Sequence, residues 1–351
     1  MTIMIEFSPQ EQITGIQRVT LRLLREILRQ EDVILLVGIG FFSPIQIPNN
    51  LQVKFLPKGS LLPDFDDELL IQISKMKPRK LSYKSLKSNK IIYPFWRPVH
   101  RWFDYEIGIY YDSSPIDRSG DFRHDTVERF NKHLESSALL NDLTIFISRF
   151  SMNRALEYAD FAKENSIILY PGPSFSHEMI SSSNLMKKNG SELRKIIYVG
   201  SIDPRKGVLN LLDWFRITKF RDHFSELVIV GGHVDWSPDS NIQKEFYGRL
   251  HLDSKTTYLG TISDRLLFDL YAGADTLIYP SEYEGFGIPV CDSLTFGIRT
   301  ITSNTTSMLE FKEFGAQVIN PLSPWDWDSC IDIDKTHEIK KIEKPVFEQI
   351  K

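Results

Sequence analysis

The segment with the clearest chemical potential places two glycines and a proline between two carboxylates. Glu284-Gly-Phe-Gly-Ile-Pro-Val-Cys-Asp292 follows the apolar run 275–280, which suits a buried parallel strand. The glycines let backbone approach a ligand closely, and the proline suits the first turn of a helix. The free N–H groups of that helix start would bind an anion, while the carboxylates would accept hydrogen bonds from hydroxyls. The segment therefore predicts a site for a sugar nucleotide.

A second segment supplies positive charge. Gly200-Ser-Ile-Asp-Pro-Arg-Lys-Gly207 follows the predicted strand 196–199 and precedes a predicted helix. Arg205 and Lys206 are adjacent cations on a tight loop at a helix start, an arrangement that suits a pyrophosphate. Taken alone, such a motif is more often a solvated turn. Its position ahead of the acidic glycine segment favours the phosphate interpretation.

Together these segments resemble the donor site of retaining glycosyltransferases of family 4, the group 1 glycosyltransferases, which have the GT-B fold. The family signature is Glu, seven residues and Glu; here it begins at Glu284 and ends at Asp292, one methylene shorter. Where some branches place an Arg after the first glycine of the cationic segment, this chain has Ser201. The resemblance covers residues 1–321 and is strongest over 196–321.

The resemblance implies transfer of a hexose of the mannose or glucose type from a GDP- or UDP-linked sugar, with retention. The acceptor would be a glycan or a lipid-linked glycan in polysaccharide biosynthesis. Glu284 would hold sugar hydroxyls and Asp292 the ribose, while cations would stabilise the leaving diphosphate. Neither a cofactor nor a metal is implied. The predicted catalytic residues are Glu284, Lys206, Arg205 and Asp112; the predicted donor-binding residues are Gly15, Arg205, Lys206, Leu259, Thr261, Gly285, Phe286, Gly287, Ile288, Pro289 and Asp292.

Two of these residues lie in the first half of the chain. Gly15 follows the predicted strand 3–7 and opens a helix with an apolar face, which puts it at the ligand-facing edge of a sheet. Asp112 follows the predicted strand 105–111, also at a carboxyl end. It is a candidate on the acceptor side, but Asp before Ser and Pro is also a common turn cap, and both interpretations stay open.

Strands and helices alternate along the chain, which predicts parallel, doubly wound sheets. The resemblance implies two Rossmann-like domains facing a central cleft. We predict an acceptor-side domain over 1–173, a linker over 174–194, a nucleotide-sugar domain over 195–335 and a tail over 336–351 that is a candidate crossover helix.

The segment 74–103 is distinct in composition, with nine Lys or Arg residues, no Asp or Glu, and an aromatic end. Cations beside exposed aromatics would bind an anionic membrane. Alternatively, the cations are solvated and the aromatics pack into the domain; the two interpretations are evenly weighted. Nucleic-acid binding is disfavoured, because no such motif is present and the net charge of the chain is −4.

The remaining composition is that of an ordinary globular chain of 351 residues. The apolar runs are too short to span a bilayer, no secretory signal is recognisable, and two cysteines give no disulfide framework. These features predict a cytoplasmic protein, free or peripheral at the inner membrane face. Two other functions stay open: a sugar-nucleotide epimerase on the same fold, and a non-catalytic nucleotide-sugar-binding or scaffold subunit.

Overall fold

The computed structural model describes residues 2–7, 14–37, 49–95, 97–182, 194–233 and 241–331. Contacts divide the chain into two units: unit 1 comprises Met1–Ile116 and His124–Pro171, and unit 2 comprises Asp117–Arg123 and Gly172–Lys351. Residues 117–123, which the sequence analysis places in the first domain, therefore belong to unit 2. The predicted tail 336–351 and most of the predicted linker lie outside the described residues.

Unit 1 contains an eight-stranded sheet with the strand order β4-β3-β2-β1-β5-β6-β7-β8. Its elements are β1 (Ile3–Phe7), α1 (Gly15–Leu28), β2 (Val33–Val37), β3 (Asn50–Leu56), α2 (Asp66–Lys75), β4 (Arg79–Ser82), α3 (Tyr83–Leu86), β5 (Lys90–Tyr93), β6 (Tyr105–Tyr110), α4 (Ser114–Asp117), α5 (His124–Leu140), β7 (Leu143–Phe146), α6 (Arg149–Tyr158) and β8 (Ser166–Ile168).

Alternating side chains of β1 pack on opposite faces of this sheet. Met4 joins the cluster that contains Ile34 and Leu36, whereas Ile5 joins the one that contains Val33 and Leu35. Because both faces are covered, β1 and β2 are apolar at every position except Glu6 rather than alternating with polar residues. The predicted apolar face of α1 contributes to the second cluster.

The prediction of a wholly parallel sheet is wrong at one edge of unit 1. β3 runs antiparallel to β2, and β4 runs antiparallel to β3. All four residues of β4 are exposed and two are cationic, which suits an edge strand that must not pair with another chain. An antiparallel edge on an otherwise parallel sheet is common, and helix–strand alternation in the sequence does not reveal it.

The aromatic end of the basic segment packs into unit 1, as one of the two interpretations predicts. Tyr93, Trp102 and Phe103 are buried, whereas Trp96 lies outside the described residues. The cations are mostly solvated. The exposed ones are Lys75, Lys77, Arg79, Lys80, Lys84, Lys87 and Arg101.

One cation of this segment is buried in a polar network. The Arg97 guanidinium donates to Glu106 Oε2 at a distance of 2.5 Å, and both side chains are fully buried. The other oxygen of Glu106 accepts from the N–H groups of Trp102 and Phe103, at 2.7 and 2.9 Å. A buried ion pair is tolerated only when its remaining lone pairs are also satisfied, and here the backbone satisfies them.

Unit 2 contains a six-stranded parallel sheet with the order β11-β10-β9-β12-β13-β14. This is the doubly wound order, and ligands bind such sheets where the order reverses, here between β9 and β12. The elements are α7 (His177–Ser182), β9 (Arg194–Val199), α8 (Val208–Ile217), β10 (Phe224–Val230), α9 (Ile242–Leu250), β11 (Thr256–Gly260), α10 (Asp264–Gly273), β12 (Thr276–Tyr279), α11 (Ile288–Thr295), β13 (Arg299–Ser303), β14 (Gln317–Ile319) and α12 (Trp327–Cys330).

Over the described ranges, none of the helices combines the length and the apolar character needed to cross a bilayer.

The buried network of unit 1 makes a prediction about acid stability. His133 accepts the Arg97 N–H at 3.2 Å, and burial together with the Arg97 charge lowers the pKa of His133 from 6.5 to about 3. The folded protein therefore keeps this ring neutral, whereas the unfolded chain protonates it below about pH 6.5. His133 should thus cost about 2 kcal/mol of unfolding free energy as pH falls from 7 to 5.

Urea unfolding at both pH values tests this expectation in His133→Asn, in which the amide oxygen can replace the ring acceptor. The variant should lose less stability on acidification than the wild type. His100→Asn, at an exposed position of the same unit, is the control and should follow the wild type. Identical pH dependence in all three proteins would contradict the prediction.

Candidate functional site in unit 2

The site lies at the carboxyl ends of β9 and β12, where the strand order reverses. β9 leads into residues 200–207, which we call the cationic loop, and β12 leads into residues 280–287, the acidic loop. The two strands pair directly, with Ile196 opposite Thr276 and Ile197 opposite Leu277. The loops that follow them are therefore neighbours, which brings together two segments about 80 residues apart in the chain.

One carboxylate oxygen of the acidic loop receives three hydrogen bonds. Lys206 Nζ donates to Glu284 Oε1, as do the hydroxyls of Tyr279 at 2.5 Å and Ser281 at 3.2 Å. The Lys206 and Glu284 side chains are 17% and 13% exposed. A carboxylate held by three donors is fixed in place, and none of these three bonds uses its second oxygen. The structure thus brings together two of the predicted catalytic residues.

A stacked tyrosine pair supports this carboxylate. The Tyr198 and Tyr279 rings lie 5.8 Å apart at 29°. Burial, reinforced by the Glu284 charge, raises the pKa of the Tyr279 hydroxyl well above its usual range, so it stays a donor to Glu284. The sequence analysis missed both tyrosines, because an aromatic residue in an apolar strand looks like ordinary core.

Backbone contacts join the two loops. The carbonyl oxygen of Arg205 accepts the Glu282 N–H at 2.7 Å and lies 3.1 Å from the Ser281 hydroxyl, whose one proton it shares with Glu284. Gly207 has φ +68°, and a Cβ there would lie 2.1 Å from the carbonyl oxygen of Pro280. Only glycine permits this approach, so the last residue of the cationic loop fixes its distance from the acidic loop.

The Arg205 side chain is engaged away from Glu284. Its guanidinium donates to Asp203 at 2.9 and 3.3 Å and lies 4.9 Å from the centre of the Phe122 ring. Asp203 also accepts the Arg205 N–H at 3.0 Å. Arg205 therefore shapes the cationic loop in the described structure, and its contact with phosphate stays a prediction.

Hydroxyls from residues 303–307 hold the backbone of the acidic loop. This segment follows β13, and its side chains take up polar backbone groups that the loop leaves without helix or sheet partners. The bonds run from Ser303 to Ser281 O, from Thr305 to Glu282 O at 3.1 Å, from Ser307 to Glu284 O at 2.8 Å and to Phe286 O at 3.2 Å, and from Glu284 N to Thr306 Oγ1 at 3.3 Å.

The predicted helix start after the acidic loop is present as α11. Gly287 precedes it with φ +98°, and a Cβ there would lie 2.1 Å from Met308 Cε. Gly285 and Phe286 are buried beneath this turn, while Ile288 and Pro289 are half-buried. In this first turn Pro289 has no N–H, and the N–H groups of Val290 and Cys291 donate to the Gly287 carbonyl oxygen at 3.0 and 3.1 Å. Only the N–H of Ile288 and the dipole of the helix are left for an anion, so an anion site at this helix start stays a prediction.

The other predicted donor-binding residues of unit 2 differ in their accessibility. Asp292 is buried, and its carboxylate accepts the N–H of Ser174. This contact anchors the chain at the start of unit 2, and the ribose role stays a prediction. Leu259 and Thr261 are exposed at the carboxyl end of β11.

The predicted residues of unit 1 have local contacts. Gly15 is exposed in the first turn of α1, where Thr14 and Gln17 form a reciprocal capping box. Asp112 Oδ1 accepts the Ser114 N–H at 2.7 Å, which is the contact expected of a turn cap. Its acceptor-side role stays a prediction.

No group of three His, Cys, Asp or Glu side chains in the described part of the chain is arranged to hold a metal ion. Independence of metal stays a prediction, as do the individual site roles.

Comparison with known proteins gives a consistent picture. Residues 182–315 match the family model described as glycosyl transferases group 1. The O-antigen chain mannosyltransferase B of Escherichia coli is 25% identical over 329 residues, which cover 88% of this chain and 84% of that protein. The O-antigen chain mannosyltransferase RfbU of Salmonella typhimurium is 28% identical over 158 residues, 45% of this chain and 43% of that protein.

The fold has counterparts among known structures. The crystal structure of Anabaena Alr3699/HepE in complex with UDP-glucose superposes with a TM-score of 0.64 at 14% identity, covering 99% of this chain and 94% of that one.

The backbone of Thr306 makes a prediction about strain in the site. Thr306 has φ +52°, a conformation that β-branched residues rarely adopt and that costs about 1–3 kcal/mol. Its hydroxyl accepts the Glu284 N–H, so the strain supports the acidic loop. Thr306→Asn, which tolerates this φ and keeps an acceptor, should raise the unfolding free energy by about 1 kcal/mol.

Urea unfolding midpoints test this prediction. Thr305→Asn is the matched control, because Thr305 has an ordinary φ of −122° and should gain nothing. An unfolding midpoint for Thr306→Asn that is no higher than the midpoint for Thr305→Asn would contradict the strain account.

Proposed function

This chain is a group 1 glycosyltransferase with the GT-B fold, and from that premise we propose that it transfers a mannose-type hexose from a nucleotide sugar. The acceptor is a hydroxyl of a glycan or lipid-linked glycan, and the product retains the configuration at the anomeric carbon. One observation carries the proposal. Lys206 and the three-donor carboxylate of Glu284 meet where the strand order of unit 2 reverses, beside the start of α11.

The arrangement of charges supports a donor with a diphosphate leaving group. Lys206 offers a cation to the diphosphate, and the N-terminal end of α11 adds the partial positive charge of its dipole. Both become more stabilising as the charge of the diphosphate grows with the breaking of its bond to the sugar. Glu284 is a fixed acceptor for hexose hydroxyls. When donor binds, the ammonium of Lys206 can bridge phosphate and carboxylate, so the Lys206–Glu284 ion pair becomes part of the donor contact.

For retention we propose a single step on one face of the sugar, in which Glu284 is an acceptor for hydroxyls and not a nucleophile. Oε1 of Glu284 already accepts three hydrogen bonds, which weakens that oxygen as a nucleophile. In the step we propose, the bond from the anomeric carbon to the phosphate oxygen breaks as the bond to the acceptor oxygen forms on the same face. The proton of the acceptor hydroxyl goes to the departing phosphate.

The names of the relatives support the choice of sugar. The two sequence relatives are named as O-antigen mannosyltransferases, whereas the structural neighbour holds UDP-glucose. We therefore propose mannose as the hexose, an O-antigen-type polysaccharide as the product, and GDP or UDP as the nucleotide. No cofactor or metal takes part in the proposed step.

Thermal stabilisation by GDP-mannose, UDP-glucose and UDP-N-acetylglucosamine tests donor binding. One of them should stabilise the wild type selectively, by about 2.7 kcal/mol at a hundredfold excess over its dissociation constant. Lys206→Ala should lose this shift. Lys244→Ala, an exposed lysine on α9, is the control and should keep it.

Product analysis with the donor so identified separates transfer from the other functions. Transfer requires acceptor and should fall about a hundredfold in Glu284→Gln, which removes the charge that holds Lys206. Nucleotide release without acceptor would favour an epimerase, and donor binding without turnover would favour a scaffold subunit. The absence of any shift would overturn the donor site.

A second proposal concerns the exposed cations within residues 74–103. We propose that they place the protein at the anionic inner face of the membrane, near a lipid-linked acceptor. Seven cations of this segment are exposed, and the segment contains no acidic residue. Because Trp102 and Phe103 are buried, the contact is electrostatic, with each cation worth about 1 kcal/mol, and salt weakens it.

Vesicle pelleting tests this second proposal. Vesicles rich in phosphatidylglycerol should bind the protein, and 0.5 M salt should release it. The triple change Lys77→Gln, Lys80→Gln and Lys84→Gln should weaken binding at least tenfold. Its control has the same net charge and carries Lys219→Gln, Lys244→Gln and Lys312→Gln, at exposed positions of unit 2. Equal binding by the two triple variants would sink the proposal.

A further inference from the structure

Residues 117–123, which we call the strap, belong to unit 2 although the residues on either side belong to unit 1. A short 3-10 turn, Ser119–Asp121, forms its middle. Side chains of the strap contact both loops of the candidate site, which no motif in the sequence indicates. The contacts join Asp117 to Tyr283, Arg118 to Glu282, and Phe122 to Arg205.

The strap holds the acidic loop through an ion pair. Arg118 Nη1 donates to Glu282 Oε2 at 2.8 Å, and Arg118 Nε donates to Asp121 at 2.7 Å. The two side chains of the Arg118–Glu282 pair are 31% and 19% exposed, so the pair is only partly screened by water. A second bond runs from the Tyr283 hydroxyl to Asp117. Two successive residues before Glu284 are therefore fixed by the strap.

The strap also covers the cationic loop. The Phe122 ring lies over the Arg205 guanidinium at 4.9 Å, a cation–π contact with a side chain that Asp203 already orients. The Arg205 carbonyl accepts the Glu282 N–H, so the contacts close into a ring. In this ring Phe122 contacts Arg205, Arg205 binds the Glu282 N–H, and the Glu282 side chain binds Arg118 of the strap.

We propose that Arg118 and Phe122 are positioning residues that fix the acidic loop against the cationic loop, so that Lys206 and Glu284 keep one geometry for the donor. The proposal rests on the proposed function for its catalytic meaning, but the ring of contacts needs no substrate. A loop that carries a catalytic carboxylate must be held closely, since a displacement of about 1 Å can cost a hundredfold in rate. Arg118 acts through Glu282 and touches no reacting atom.

Hydrogen exchange of the whole, ligand-free chain tests the ring directly. Arg118→Ala should speed exchange at the amides of Glu282 and Glu284 about tenfold, because opening of the acidic loop becomes easier. The same change in a Glu282→Gln background should add little, since the pair is already broken. Unchanged exchange at both amides would overturn the proposal.

A matched control and a conservative variant separate positioning from general destabilisation. Arg249 lies on α9, is 29% exposed and donates to Asp213 and Glu245, so Arg249→Ala also removes an arginine with two carboxylate partners. It should leave exchange in the acidic loop unchanged. Arg118→Lys, which keeps the charge, should restore most of the protection. If Arg118→Ala does not fold, Phe122→Leu should speed exchange at the Glu282 amide, and unchanged exchange there would likewise overturn the proposal.

Donor kinetics then connect the ring to catalysis. Arg118→Ala should lower kcat/KM for the donor about tenfold, Arg118→Lys should recover it to within about threefold, and Arg249→Ala should match the wild type. A wild-type chain that transfers no hexose would refute the proposed function and leave the exchange result standing. Normal kinetics in Arg118→Ala would refute the positioning role alone.

Discussion

The ion pair between Lys206 and Glu284 is the interaction on which the candidate site depends. It forms because β9 and β12 are neighbours at the point where the strand order of unit 2 reverses. Each loop is about eight residues long, and its regular structure is limited to the 3-10 turn Pro204–Lys206 of the cationic loop, so neither loop could place its charge alone. Each charge is fixed by the other, and the pair offers a cation to phosphate and an acceptor to hydroxyls in one place.

The surroundings of this pair follow from the need to satisfy buried polar groups. The acidic loop has neither helix nor sheet partners for its backbone, so hydroxyls from 303–307 provide them. Thr306, whose hydroxyl accepts the Glu284 N–H, has a strained backbone conformation with positive φ. In unit 1 the same requirement surrounds Arg97 and Glu106 with backbone donors and acceptors. Polar networks of this kind fix one geometry, because a partly satisfied arrangement is costly.

Local signals in the sequence predicted the elements that carry the site. Neighbouring residues determine three of these elements: the apolar run before the acidic loop, the glycine turn and the start of α11. The helix that Gly15 opens and the alternation of strands and helices are equally local. From these signals, and from the resemblance, the fold class and the glycosyltransferase family were predicted.

Contacts between distant residues were not predictable. The bond between Asp117 and Tyr283 spans 166 positions, and that between Arg118 and Glu282 spans 164. The spacing of apolar and polar residues along the chain predicts helices and strands, but it gives no indication of which distant residues will pair. Tyr279 was hidden for a different reason, since an aromatic side chain in a buried strand reads as core until its hydroxyl is seen on Glu284. The burial of Trp102 also depended on tertiary packing that composition does not encode.

The most direct test of the central claim is a crystal structure of the wild-type protein with the nucleotide sugar that stabilises it. The account predicts the diphosphate within hydrogen-bond distance of Lys206 Nζ and beside the start of α11, and a hexose hydroxyl within hydrogen-bond distance of Glu284. A donor that binds elsewhere, and that touches neither Lys206 nor Glu284, would contradict the account.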